Sequence, residues 1–146
     1  MIKEKHLGMY MSFAQTVAQE SYAIRKKVGA VLVTQTGIVL PGYNGTPEGF
    51  DNCCEYCDDE GNLVTRDDVL HAESNALAKA GREGIRVSGS AMFITLSPCV
   101  ACANLMIQNH VSHVYFGETY RCDAGLRRLS KAGIPTTQLE VQNGLV

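Results

Sequence analysis

The chain lacks a strong excess of charge of either sign: 13 Lys and Arg stand against 15 Asp and Glu, for a formal net charge of −2 and a pI near 6.1. Proteins that grip nucleic-acid backbones draw most of their affinity from a concentrated positive field. That field is missing, which argues against a nucleic-acid polymer and for a small substrate. Long apolar runs are also missing. The opening MIKEKHLGMYMSFAQTVAQE interleaves charged and apolar residues, with neither the roughly 7–15-residue apolar core of a signal peptide nor the ~20 residues of a membrane span. A cytoplasmic protein with no membrane partner is expected. There is no internal repeat, low-complexity tract or linker, so residues 1–146 are read as one domain, a length within the usual size of about 100–150 residues. The six cysteines do not make a disulfide framework, which belongs to small secreted domains. Two of them sit in a Cys-x-x-Cys that answers a remote His-x-Glu, and all are read as thiols or thiolates.

Hydrophobic spacing gives the order of elements. Leu7, Tyr10, Met11, Ala14, Val17, Ala18 and Tyr22 recur at three- and four-residue steps, predicting a first helix near 4–25. Two β-rich runs, 28–34 and 38–43, flank a short turn and form a hairpin. Residues 44–70 are polar and acidic and read as a long loop, a feature that in compact domains is usually functional or disordered. Helix 72–82, strand 90–96, a helix from Pro98 to about Asn109, strand 111–116, helix 123–132 and a last strand 134–141 follow. Strands alternating with helices predict a three-layer α/β/α domain with a central five-stranded mixed sheet.

The strongest chemical signal is His71-Ala72-Glu73 followed downstream by Pro98-Cys99-Val100-Ala101-Cys102. His71, Cys99 and Cys102 are three zinc ligands with no obvious fourth, the inventory of a catalytic site that keeps one position open for water. Zinc lowers the pKa of that water from 15.7 towards about 7. Pro98 suits a helix's first turn, and Cys99 and Cys102 then project to one side of it, where the positive end of the helix dipole favours thiolates. His71 and Glu73, two apart, are expected at another helix start, where both can still aim inward. Alone, a Cys-x-x-Cys is more often structural zinc or redox; the paired pattern, in this order, is that of zinc deaminases, in which the Glu carries protons and does not ligate.

The chain resembles the cytidine deaminase superfamily, and within it the deoxycytidylate (dCMP) deaminases. Beyond the zinc pattern the resemblance rests on Val28-Gly29-Ala30-Val31-Leu32-Val33, Gly42-Tyr43-Asn44-Gly45-Thr46-Pro47-Glu48-Gly49, His71 to Leu77, and Thr119-Tyr120-Arg121. It implies hydrolysis of dCMP to dUMP and ammonia, supplying thymidylate synthesis, with one catalytic Zn2+ and Glu73 shuttling protons between water, ring N3 and the leaving amine. It further implies that Asn44 binds the deoxyribose hydroxyl, that the backbone at Ala72 and Ser97 reads the base edge, that Tyr120 closes over the nucleotide, and that Thr46 and Arg121 belong to the substrate site. Arg25, Lys26 and Lys27 are phosphate candidates beside Arg121. Arg25, Lys26 and Arg82 are candidates for an effector or subunit contact. A homohexamer activated by dCTP and inhibited by dTTP, with Mg2+ accompanying these nucleotides, is implied as well.

Asn44-Gly45 by itself also fits an ordinary tight turn. Some relatives hold a second, structural zinc with cysteines of the 44–70 loop plus a cysteine in the first helix. Here that helix has none and the loop has no histidine before His71, so Cys53, Cys54 and Cys57 are expected to bind no second zinc. Competing readings are a dCTP, tRNA adenosine, riboflavin-pathway or free cytidine deaminase, or a non-catalytic zinc module closed by a fourth ligand from the acidic loop.

Overall fold

The computed structural model describes residues 2–140. Helix α1 (Glu4–Ala18) leads into strands β1 (Gly29–Val33) and β2 (Val39–Tyr43), then β3 (Glu55–Cys57) and β4 (Leu63–Thr65). After these come α2 (Ala72–Glu83), β5 (Ala91–Leu96), α3 (Val100–Gln108), β6 (His113–Glu118), α4 (Ala124–Lys131) and β7 (Thr136–Gln138). The main sheet has the order β2-β1-β5-β6-β7. β1 runs antiparallel to β2 and β5, whereas β5, β6 and β7 are mutually parallel. This is the expected five-stranded mixed sheet.

The strands sort their side chains by alternation. In β1, wholly buried because it is central, Val31 and Val33 pack with Met11 and Ala14 of α1, together with Phe93 and Tyr115. Ala30 and Leu32 pack on the opposite face with Ala72, Ala76 and Ala80 of α2, Ala103 and Met106 of α3, and Leu129 of α4. Helices therefore cover both faces: α1 on one, α2, α3 and α4 on the other. A run of alanines on α2 lets its backbone lie close to the sheet. The approach is closest at Gly42, where a Cβ would collide with the Ala72 carbonyl and come within 2.6 Å of the Ala76 nitrogen. Gly125 plays the same part for α4, where a Cβ would strike the Pro98 carbonyl just ahead of α3.

Four sequence expectations are corrected. The first helix ends at Ala18, not near 25. Tyr22, which prolonged the apolar pattern, is exposed, as is Ile24, and the backbone N–H groups of Ile24 and Arg25 bond the Glu55 carboxylate rather than helix carbonyls. Residues 44–70 are not one long loop, since β3 and β4 form a separate two-stranded sheet with Glu55 opposite Thr65. Its turn is closed by Asp58, whose Oδ1 accepts from the N–H groups of Glu60 and Asn62, with Gly61 at φ +81°. Pro98 lies outside α3, whose N-cap is Cys99. The last strand covers only Thr136–Gln138, and position 141 of the predicted span falls outside the described residues. No described helix is long and apolar enough to cross a membrane.

Overpacking a close-packed contact typically costs about 1–3 kcal/mol. Gly42→Ala is therefore expected to lower unfolding free energy by about that amount, because the colliding atoms are backbone. Gly81→Ala, also at α2 but with nothing within 4 Å of its would-be Cβ, is expected to be neutral or to gain up to about 1 kcal/mol from helix propensity. Urea titration of both variants measures the contrast; equal effects would refute the close-approach account.

Candidate metal centre and active site

Two helix starts meet at one point. His71 is the N-cap of α2 and Cys99 the N-cap of α3, both with extended backbone. Those N-terminal positions let residues two apart, His71 and Glu73, face the same spot. His71 Nδ1 lies 3.4 Å from Cys99 Sγ and 3.3 Å from Cys102 Sγ, and the three donor atoms fall within 4.8 Å of one another. Zinc–sulfur and zinc–nitrogen bonds of about 2.3 and 2.0–2.1 Å at tetrahedral angles require separations of roughly 3.5 Å. The donor set therefore fits zinc in both chemistry and spacing, with three protein ligands.

The electrostatics favour anionic sulfur. A hydrogen bond from the Cys102 thiol, then one from His71, pull the Cys99 pKa down to about 3. Cys99 Sγ also accepts the Cys102 N–H at 3.4 Å, which caps the helix and places the charge at the positive end of its dipole. The Cys102 thiol, buried and donating to Cys99, is pushed upward. The Cys99 hydrogen bond likewise raises His71. Glu73 is buried at 4% exposure, and burial raises its pKa, opposed by its own backbone N–H and by His71. Beside the donor set there is thus a carboxyl that is disposed to hold a proton.

These groups open into a cleft of about 230 Å³. Asn44, Ala72, Ser97 and Tyr120 line it, and so do Arg25 and Lys26, which were candidates for an effector or interface role as well as for phosphate. Asn44 is already committed to the wall: its Oδ1 accepts from the Val28 N–H and its Nδ2 donates to the Lys26 carbonyl, each at 2.8 Å. It is not the corner of a tight turn, for Gly45 forms a bridge with Leu70. The Ser97 hydroxyl accepts the Tyr120 N–H at 2.7 Å, tethering the segment after β6 to the end of β5.

Other candidates lie elsewhere. Thr46 is outside this cleft; it donates to the Asp51 carbonyl and lines a second cavity of about 770 Å³ shared with Arg82. Arg82 pairs with Glu48 and Glu83, all exposed, contacts worth little in water. Arg121 does not line the cleft, and its guanidinium lies 5.5 Å from the centre of the Tyr120 ring. Cys54 is buried at the cleft wall, whereas Cys53 and Cys57 are exposed; His71, Cys99 and Cys102 are the one group of metal-binding donors among the described residues.

Sequence reasoning missed Glu55 and Thr65, which also line the cleft. Glu55 is 7% exposed, and its Oε2 accepts from the N–H groups of Ile24 and Arg25 at 2.8 and 2.9 Å. Glu55 and Thr65 each sit in a three-residue run beside the Glu60-Gly61-Asn62 turn, too short to separate from solvated loop.

The sequence profile of the cytidine and deoxycytidylate deaminase zinc-binding region matches residues 4–118. The deoxycytidylate deaminase of Saccharomyces cerevisiae is 34% identical over 88% of this chain and 43% of its own length, so the chain spans less than half of that relative. The deoxycytidylate deaminase of enterobacteria phage T4 is 30% identical over 75% of this chain and 76% of its own. The crystal structure of dCMP deaminase from cyanophage S-TIM5, in complex with dCMP and dUMP, superposes with a TM-score of 0.87 at 38% identity, covering 95% of this chain and all of the other. With the His-Cys-Cys donor set and the buried glutamate in place, the chain belongs to the cytidine and deoxycytidylate deaminase family of zinc-binding proteins.

Proposed function

We propose that the chain is a dCMP deaminase, hydrolysing dCMP to dUMP and ammonia in the cytoplasm to supply thymidylate synthesis, with residues 1–146 acting as one domain. The observation that carries this reading is the buried Glu73 carboxyl beside the His71–Cys99–Cys102 set, in a cleft whose outer wall holds two cations, Arg25 and Lys26. Lys26 is already paired with Glu118; a free nucleoside would leave Arg25 without an anionic partner, and a 5′-monophosphate provides one. The likeness in sequence and fold to dCMP deaminases supports the same choice.

Zinc, when bound by His71, Cys99 and Cys102, supplies an activated water as nucleophile towards C4 of the ring. Everything else is done by side chains and backbone of this chain. Glu73 takes one proton of the water and delivers it to N3, then takes the second proton from the hydroxyl added at C4 and passes it to the departing amine, which leaves as ammonia; this role suits a carboxyl whose pKa is raised by burial. The backbone at Ala72 and Ser97 borders the base, and Tyr120, tethered through Ser97, borders the open side. Asn44 faces the sugar while holding the Lys26–Val28 backbone, so it shapes the wall as well as touching the ligand.

Regulation forms a second part of the proposal: a homohexamer, activated by dCTP and inhibited by dTTP with Mg2+. Apolar side chains left exposed on α3, Val100 and Leu105, support assembly, and the cavity bearing Thr46 and Arg82 supports a second nucleotide site.

Ammonia release from dCMP, dCTP, CMP and cytidine, with zinc per chain measured on the same sample, tests the activity. The expected result is a marked preference for dCMP at one zinc per chain; a preference for dCTP or cytidine would replace the substrate. Glu73→Gln is expected to lower kcat by about 10²–10⁴ while zinc content stays near wild type. Loss of zinc with activity would make Glu73 a ligand and sink its assignment as proton carrier. For regulation, initial rates with dCTP, with dTTP and with neither, beside sedimentation, are expected to give a hexamer with opposite responses. A monomer indifferent to both would remove regulation and leave the catalytic reading intact.

A further inference from the structure

Residues 21–28 form a segment without regular secondary structure between α1 and β1, and side chains from elsewhere satisfy its backbone. Asn44 bonds the Lys26 carbonyl and the Val28 N–H, and the Ser21 hydroxyl donates to the Asn44 carbonyl. Glu55 accepts the N–H groups of Ile24 and Arg25. Burying a carboxylate is costly unless it is hydrogen-bonded, and its charge strengthens each N–H bond it receives. Directly opposite Glu55 across the β3–β4 ladder stands Thr65, whose Oγ1 accepts from Arg25 Nη1 at 3.1 Å. One cross-strand pair of the small hairpin therefore grips Arg25 at both ends, the backbone through Glu55 and the guanidinium through Thr65.

The charges on the cleft wall differ in how they are used. Lys26 is paired with Glu118 at 2.6 Å. Arg25 lines the cleft, has no acidic partner within ion-pair distance among the described residues, and gives its guanidinium only one side-chain bond, to a neutral hydroxyl. Its charge and most of its five N–H donors stay available to an anion, in the planar fork that suits phosphate.

We infer that the β3–β4 hairpin is a positioning arm for the substrate's 5′-phosphate, in which Glu55 and Thr65 hold Arg25 at the cleft so that its guanidinium meets the phosphate already oriented. This rests on the reading of the substrate as a nucleoside monophosphate. Glu55 and Thr65 are positioning residues, and Arg25 is the group that touches ligand. Holding an arginine in place removes the conformational entropy it would otherwise lose on binding, so the arm should act on KM and leave the chemical step alone.

The test compares the zinc-loaded wild type with Thr65→Val, Thr65→Ser, Glu55→Gln and Arg25→Ala on dCMP and on deoxycytidine, which lacks the phosphate. Thr65→Val is expected to raise KM for dCMP about two- to tenfold, the worth of one neutral hydrogen bond, with kcat within twofold and kcat/KM for deoxycytidine unaltered. Thr65→Ser, which keeps the hydroxyl, is expected to restore KM. Glu55→Gln should move KM in the same direction, and Arg25→Ala should exceed both. Because Thr65 is only partly buried, its valine variant avoids the folding risk that Glu55 carries. The inference is overturned if Thr65→Val leaves KM for dCMP unchanged, if it weakens dCMP and deoxycytidine equally, or if the serine variant fails to rescue. A wild type that uses deoxycytidine as well as dCMP would refute the nucleotide reading itself, and the arm with it.

Discussion

Three donors able to hold a metal ion and one buried carboxyl meet at a single point, although they come from two helix starts separated by a strand. Helix N-termini meet this demand. There the backbone has not yet closed its hydrogen-bond ladder, so N–H groups point outward, the dipole is positive and residues two apart can share a direction. Cys99 uses all of this as N-cap of α3, its sulfur accepting the Cys102 N–H. His71 and Glu73 use it at α2, where Glu73 also receives its own N–H. The helices reach the meeting point because the sheet and α4 allow close approach: Gly42 admits the Ala72 carbonyl and Gly125 the Pro98 carbonyl. The packing of small residues and the chemistry of the site are in this sense one constraint.

A second layer of organisation lies around the cleft and uses polar side chains as substitutes for secondary structure. Between α1 and β1 the chain has no helix or strand to absorb its backbone donors and acceptors. An orphaned buried amide costs about as much as a lost hydrogen bond, so Asn44 and Glu55 provide what a ladder would. Both residues border the cleft. The wall that faces ligand is thus stiffened by groups that also face ligand, and substitution at either should disturb shape and contact together.

The parts legible in the sequence were those written locally. The His71-Cys99-Cys102 donor set and Glu73 were readable as a group because donor type, spacing and helix starts coincide within a few residues, and β1, β2, β5 and β6 because their apolar runs are long enough to count, whereas the polar three-residue β7 is not. The end of α1 was not readable: Tyr22 continues the apolar pattern but stands exposed, and the N–H groups of Ile24 and Arg25 go to Glu55, 31 and 30 positions away in the chain, rather than to helix carbonyls. Thr46 and Arg82 lie close in sequence to the active-site motifs, yet line a different cavity, a distinction set by tertiary packing. Glu55 carries no local mark at all. Among the acids of 51–68 it differs only in being buried, and burial is decided by tertiary packing rather than by neighbours in sequence.

Charge balance at the site follows from the same arrangement. Two cysteine sulfurs and one carboxyl within a small volume would repel one another if all were anionic and unpaired. Cys99 carries the anion, supported by the α3 start and by His71, while burial keeps Glu73 disposed towards its protonated form. A divalent cation held by His71, Cys99 and Cys102 would neutralise both sulfurs as thiolates and would leave Glu73 as the group free to change protonation. At the outer wall the sign reverses: Lys26 is balanced by Glu118, whereas Arg25 remains unbalanced. A ligand that is neutral at the metal end and anionic at the other end matches that gradient along its whole length, and a cytosine nucleotide is such a molecule.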